Sequence, residues 1–261
     1  DNADASGVGA DSSGNDHHAT IIGTVSTHCR ANVDTPTNNF STFNPLYIDA
    51  DSTPTYSEGN LRMDATTSSW FNATSTFMPS SGKWYVEFYI ANVGTGVTIA
   101  IGKEKSSSTY LGSDTNAYGY HQTGDVYNNS SAASYGDSFT TGDVIGIALD
   151  LDDGNLYFYK NGTVQNSGTA AASSLTGEWF VGCSPSGSSG EVRVNFGQDA
   201  TFQGGKTSGS DDAADGNGKG TFYETPPSGY LALCSANLPE PTIGPSADTQ
   251  SSDHFNSVIY T

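Results

Sequence analysis

Lysine and arginine are scarce in this chain: 9 among 261 residues, against 28 aspartates and glutamates, for a formal net charge of −19. Charged residues make up only 14 % of the whole, where about 25 % is usual. The shortage argues against nucleic acid as a partner, because phosphates need Lys and Arg. It argues equally against anionic membrane surfaces. Solubility therefore rests on Ser, Thr, Asn, Gly and the carboxylates, and a salty extracellular setting would screen their self-repulsion. Cysteine is also rare. Cys29, Cys183 and Cys234 form an odd set, which precludes complete intrachain pairing; one disulfide or three free, buried thiols are open, the thiols being the default. No apolar run approaches the roughly 20 residues of a bilayer-spanning helix, so membrane insertion is not expected. Neither the basic start nor the apolar segment of a secretory signal is visible. The chain opens on Asp1 without Met and reads as a processed or partial product.

Helical periodicity is missing too. Gly and Pro interrupt every window long enough for a stable helix. Period-two alternation is what remains. In Lys83–Ile90, Trp84, Val86, Phe88 and Ile90 fall on one face, and Tyr85, Glu87 and Tyr89 on the other. Val97–Gly102, Glu178–Cys183 and Glu191–Gly197 repeat the pattern, as does the shorter Gly229–Cys234. In Gly142–Gly162, Ile145, Ile147, Leu149 and Leu151 alternate with Val144, Gly146, Ala148 and Asp150. Asp153-Gly154 and Asn161-Gly162 both offer the positive φ angles of hairpin turns. A weak strand is expected at Leu61–Asp64 and an edge strand at Ala19–Val25. Residues 103–141 carry Tyr, Ser, Asn and Gly without a long apolar run and read as outward-facing loops. Many short strands divided by turn residues define an all-β sandwich or barrel.

Three pieces in order narrow the fold. Ser80-Ser-Gly-Lys-Trp-Tyr-Val-Glu-Phe88, the Gly142–Gly162 hairpin and Val192-Arg-Val-Asn-Phe-Gly197 resemble the SPRY (B30.2-like) family, with Tyr118-Gly-Tyr120 fitting an intermediate segment. The resemblance implies a two-layer antiparallel β-sandwich of the concanavalin-like jelly-roll type, working as a binding module and not as an enzyme. The flanks, including Asp34-Thr-Pro-Thr-Asn-Asn-Phe40 and Pro226-Pro-Ser-Gly-Tyr-Leu-Ala-Leu-Cys234, resemble SPRY-bearing structural proteins of tailed bacteriophages, marine ones especially. His254–Thr261 is similar to the start of a further β-rich module, so the chain is expected to stop at a module boundary or to have been cut. The expected organisation is a polar arm at 1–36, strands packing on the sandwich at 37–79, and the sandwich core at 80–200. A loop and last strand follow at 201–243, then an arm or truncated boundary at 244–261.

Candidate binding residues are Tyr110, Tyr127 and Tyr135, whose flat faces and polar tips suit recognition surfaces, and the hairpin residues Asp153 and Asn155. Tyr118 and Tyr120, matching family positions, are expected to pack instead. Asp150, Asp152 and Asp153 are read as turn chemistry, with side chains bonding nearby amides. Asp211, Asp212 and Asp215 are weak calcium candidates, since hard cations take carboxylate oxygens; no other cofactor is expected. Ala200–Thr207 imitates a phosphate-binding loop without its strand-to-helix setting and is discounted. Catalysis has little support. Glycosidases need two carboxylates across the cleaved bond, and Glu87 and Glu191 lie on separate strands with nothing pairing them.

The resemblance thus implies a non-enzymatic virion component, extracellular in setting: a tail fibre, appendage or capsid decoration. Its partners would be other virion proteins and a host-surface glycan or protein, and it would form a homo-oligomer. A lectin-like glycan-binding module is the alternative, and a glycan-degrading enzyme ranks third.

Overall fold

A computed structural model describes residues 34, 35, 38–47, 54–103, 109–207 and 213–239. The edge strand expected at Ala19–Val25, Cys29 and the C-terminal arm lie outside them. The described residues form fourteen strands and a single 3-10 turn. In chain order the strands are β1 (Thr55–Ser57), β2 (Arg62–Asp64), β3 (Ala73–Thr74), β4 (Lys83–Asn92), β5 (Gly96–Gly102), β6 (Ala117–His121), β7 (Asp125–Asn128), β8 (Ser131–Ser134), β9 (Val144–Asp150), β10 (Asn155–Lys160), β11 (Thr163–Val164), β12 (Phe180–Ser186), β13 (Glu191–Asn195) and β14 (Leu231–Ala232).

They make two sheets. An eight-stranded sheet runs β1-β2-β13-β4-β9-β10-β11, with β14 attached to β4, and a six-stranded sheet runs β3-β12-β5-β6-β7-β8. Every pairing is antiparallel except β14 with β4. On one edge β4 pairs with β9 from Lys83 to Tyr89. On its other edge β13 covers Glu87–Asn92 and β14 takes Trp84 and Tyr85. Strands drawn from either side of the 80–200 core thus complete its main sheet.

The alternation read from the sequence sets the core. Trp84, Val86, Phe88 and Ile90 of β4 are buried with Ile145, Ile147 and Leu149 of β9, Leu156 and Phe158 of β10, and Val192 and Val194 of β13. From the opposing sheet come Val97, Ile99, Ile101, Tyr120, Val181 and Cys183. The termini of the described fold meet. The Ser41 amide donates to the Leu233 carbonyl at 3.0 Å and the Ser235 amide to the Asn39 carbonyl at 2.8 Å. Phe40 and Cys234 face each other across an isolated bridge. Cys183 and Cys234 are free thiols, and burial raises the pKa of both.

Three features differ from the sequence reading. The 103–141 stretch contains β6, β7 and β8 as well as loops; few large apolar side chains mark these strands, because β8 is exposed throughout and β6 carries Gly119 at its centre. The β9–β10 connection is a four-residue loop, 151–154, in which Gly154 alone takes positive φ. Asn161-Gly162 does form a two-residue turn, with φ of 46° and 75° and Lys160 paired to Thr163.

The third difference concerns the outer face of the eight-stranded sheet. Here Tyr85 and Glu87 are as deeply buried as the core, because the chain after β13 folds back over them. Phe222 packs on the Tyr85 ring, centroids 5.4 Å apart. Small residues opposite make room: a Cβ at Gly146 would sit 2.7 Å from the Tyr85 hydroxyl oxygen. The Glu87 carboxylate then fixes the strap. Its Oε1 accepts from the Glu224 amide at 2.8 Å, and its Oε2 from the Tyr223 amide at 2.9 Å and Asn195 Nδ2 at 3.1 Å. Loss of water outweighs these donors and raises the Glu87 pKa to about 8.

Candidate binding surface

The six-stranded sheet presents its outer face to a different loop. Ala100, Gly102, Gly119 and Gly182 leave that face shallow, and the β5–β6 connection settles on it. Leu111 is buried against Ala100, Ala117 and Phe180. Gly119 admits this approach, since a Cβ there would lie 2.4 Å from the Leu111 carbonyl oxygen. The Leu111 amide donates to Ser184 Oγ at 2.9 Å, and that hydroxyl in turn donates to Asn72. Asn72 is thereby a buried structural residue.

Leu111 carries its neighbour Tyr110 into an aromatic group. The Tyr110 ring lies 5.1 Å from Trp70 and 5.8 Å, edge-on, from Tyr127. His121 closes the set at 6.1 Å from Trp70 and 5.5 Å from Tyr127. All four side chains are half-buried, so each keeps surface for a partner. Partial burial lowers the His121 pKa, against the pull of Asp125. Its Nδ1 lies 3.0 Å from Thr123 Oγ1 and 3.3 Å from the Thr123 amide nitrogen. The group thus combines flat apolar faces with hydroxyl and imidazole donors, the mixture that recognition surfaces use.

Of the residues chosen from sequence, Tyr110 and Tyr127 are brought together here. Tyr135 corrects the reading: it is a core residue. It packs on Tyr120 and Phe158, its hydroxyl donates to the Thr169 carbonyl at 3.1 Å, and burial raises its pKa to about 12. Tyr120 is buried as expected, and Tyr118 packs half-exposed against Trp179. Trp70 and His121 were missed. Trp70 lies 40 positions before Tyr110, in a stretch with no strand signal, and reaches the sheet through an isolated bridge to Ser186.

Asp153 and Asn155 sit on the other sheet, at the β9–β10 loop, apart from the aromatic group. Lys83 Nζ bridges Asp150 at 2.6 Å and Asp153 at 2.9 Å. Asp150 Oδ1 accepts the Asp152 and Asp153 amides, and Asp152 Oδ1 the Gly82 amide. These carboxylates perform turn chemistry. Asp211 and Asp212 lie outside the described residues. Asp215 Oδ1 accepts the Asn217 and Lys219 amides, and Oδ2 the Ala232 amide and Asn237 Nδ2. Both Asp215 oxygens are taken up by donors of the surrounding loop. Among the described residues no cluster of three or more His, Cys, Asp or Glu side chains is arranged to hold a metal.

The two carboxylates considered for glycoside cleavage are both occupied. Glu87 is sealed beneath the strap, while Glu191 contacts Arg193 at 2.6 Å and Arg62 at 3.1 Å. In the phosphate-loop imitation, Lys206 lies over the Tyr223 and Tyr89 rings, 4.9 and 5.4 Å from their centroids. One shallow polar pocket of about 160 Å³ opens beside Lys103, Tyr118 and Trp179. Lys103 Nζ stands 5.0 Å above the Trp179 ring there.

Residues 83–199, from the first residue of β4 to just past β13, match the family model of the SPRY domain. The SPRY domain of human HERC1 aligns at a TM-score of 0.49 and 18 % identity, covering 58 % of this chain and 96 % of that one. Among curated proteins, the ATP-dependent RNA helicase DDX1 of Xenopus laevis is 29 % identical over 131 residues, 50 % of this chain and 17 % of the helicase. The dual specificity protein kinase splA of Dictyostelium discoideum is 37 % identical over 94 residues, 34 % of this chain and 4 % of the kinase. A probable ATP-dependent RNA helicase, ddx1, of the same organism is 34 % identical over 96 residues, 36 % of this chain and 12 % of that protein. The alignments span only a small part of those proteins, so the helicase and kinase names describe much longer chains.

Proposed function

We propose that this chain is a non-enzymatic structural protein of a virus particle, whether tail fibre, appendage or capsid decoration. Its SPRY sandwich makes contacts with other virion proteins, and one face of it attaches to a host-surface protein or glycan. The SPRY match supports the general part, a protein-interaction module on a β-sandwich. The flanks that resemble phage structural proteins, together with a net charge of −19, support an extracellular virion setting.

One observation carries the attachment role: Trp70, Tyr110, His121 and Tyr127 gather on an outer sheet face. The sandwich core is complete without them, and rigid scaffolds with mobile connections are where binding residues concentrate. The same surface favours a lectin-like reading as the second choice, because aromatic faces flanked by polar donors suit sugar rings.

Two measurements test the proposal. Antibody labelling of particles should place the protein on head, tail or fibre; its absence from particles would end the virion reading. Binding of the full chain to host cells and to a host-polysaccharide array then separates the partners. Retention by polysaccharide supports the lectin reading, whereas protease-sensitive retention by cells supports a protein receptor.

A further inference from the structure

Sheet edges are where one chain pairs with another, because they present unpaired amide and carbonyl groups. Among the described residues the two sheets end at β1, β11, β3 and β8. Strands β3 and β11 are two residues long. Strand β1, of three residues, lies beside the ion-paired Arg62, Asp64 and Glu191. Strand β8, Ser131-Ala132-Ala133-Ser134, is the longest of the four and is exposed at every residue. It has none of the usual guards of an edge: no Lys, no Pro and no inward-pointing charge.

Its free groups follow from its hairpin. Asn129 and Ser130, both at positive φ, form a two-residue turn that closes on the pair Asn128 and Ser131. In such a hairpin the closing pair exchanges both hydrogen bonds, and the pairs then alternate. Ser131 and Ala133 therefore bond to β7, while the amides and carbonyls of Ala132 and Ser134 point away from the sheet. Just beyond, the Tyr135 and Gly136 amides turn back to the Gly124 carbonyl, which ends the edge.

We propose that β8 is a self-pairing edge, on which a second copy of this chain adds its own β8 antiparallel across a two-fold axis at Ala133. Only this centre faces Ala132 of one copy with Ser134 of the other as two hydrogen-bonded pairs, four bonds in all. About that axis Ala133 faces its own copy and each Ala132 faces the other copy's Ser134, so the contact is isologous, as a two-fold interface requires. Small neutral side chains meet there, with neither clash nor like charge. The six-stranded sheets of two copies would become one continuous sheet. Ala132 pairs with Tyr127 within the hairpin, so each aromatic group would lie close to the seam, giving a bivalent surface.

Sedimentation equilibrium of the full chain, at up to about 1 mM as a small interface demands, tests this. A dimer is expected, and its share should grow with added salt, which screens the repulsion between two chains of −19. Ala133→Asp and Ala133→Lys should each weaken the dimer about five- to tenfold by setting like charges opposite one another. Mixing the two variants should restore association as a heterodimer, a rescue that misfolded variants would not give. A monomer at every concentration, or a dimer indifferent to both substitutions, would overturn the proposal. Either result leaves the aromatic surface and its own binding tests untouched.

Discussion

Glu87 and Asn195 face each other in register on β4 and β13, and Asn195 Nδ2 donates to Glu87 Oε2 at 3.1 Å. The pair lies on what would be the solvent side of an isolated sandwich. Asn195 also donates to the Thr221 carbonyl at 2.9 Å, so one strand pair holds down the strap that covers it.

Glu87 should make stability pH-dependent. Burial holds its pKa at about 8, well above the ordinary 4.5, so the folded state keeps this proton more tightly than the unfolded one. Its contribution is greatest below pH 4.5 and declines as pH rises to about 8. Glu87→Gln should flatten that slope in urea melts run from pH 4.5 to pH 8.5. It should also cost about 1–3 kcal/mol throughout, because an amide cannot accept from the Tyr223 and Glu224 amides at both positions. An unaltered slope would mean that Glu87 does not titrate in the fold.

Gly146→Ala should destabilise by about 1–3 kcal/mol, the usual cost of overpacking. The added methyl meets the Tyr85 hydroxyl oxygen at 2.7 Å and the ring edge at 2.9 Å. Adding Tyr85→Phe removes the nearest of these atoms and should recover part of the loss. Chemical denaturation of both single variants and the double variant measures the coupling; strict additivity would refute the contact.

Ser184→Ala should loosen the β5–β6 connection without unfolding the sandwich. It strands the buried Leu111 amide, at a cost of about 1–3 kcal/mol. Hydrogen exchange should quicken at 109–113 ahead of β4 and β9. Equal protection everywhere would show that this hydroxyl does not anchor the loop.

Trp70→Ala, Tyr110→Ser and Tyr127→Ser should weaken attachment to host cells while leaving the melting temperature near that of the parent chain. Tyr135→Ser should do the reverse, since it empties a core position, a loss of about 3 kcal/mol or more. Adsorption and thermal melts on the same four proteins separate the two roles. Unchanged adsorption by the first three would remove the aromatic group from attachment.

Alternation within β4, β5, β9, β12 and β13 was enough by itself to determine an all-β fold and the inner face of its strands, because a period of two is a local property of the chain; the two-layer antiparallel arrangement was implied by the SPRY resemblance. It could not say what covers the outer face. Glu87 alternates like a solvent-facing residue and is buried only because residues 222–224, more than 130 positions away, fold over it. Nor could it separate Tyr110 and Tyr127 from Tyr135, three tyrosines in one polar stretch whose surroundings come from different layers. Trp70 and His121 join the surface, and β8 becomes a bare edge, only once the strands are ordered in space. Strand order rests on long-range pairing, which no short window of sequence records.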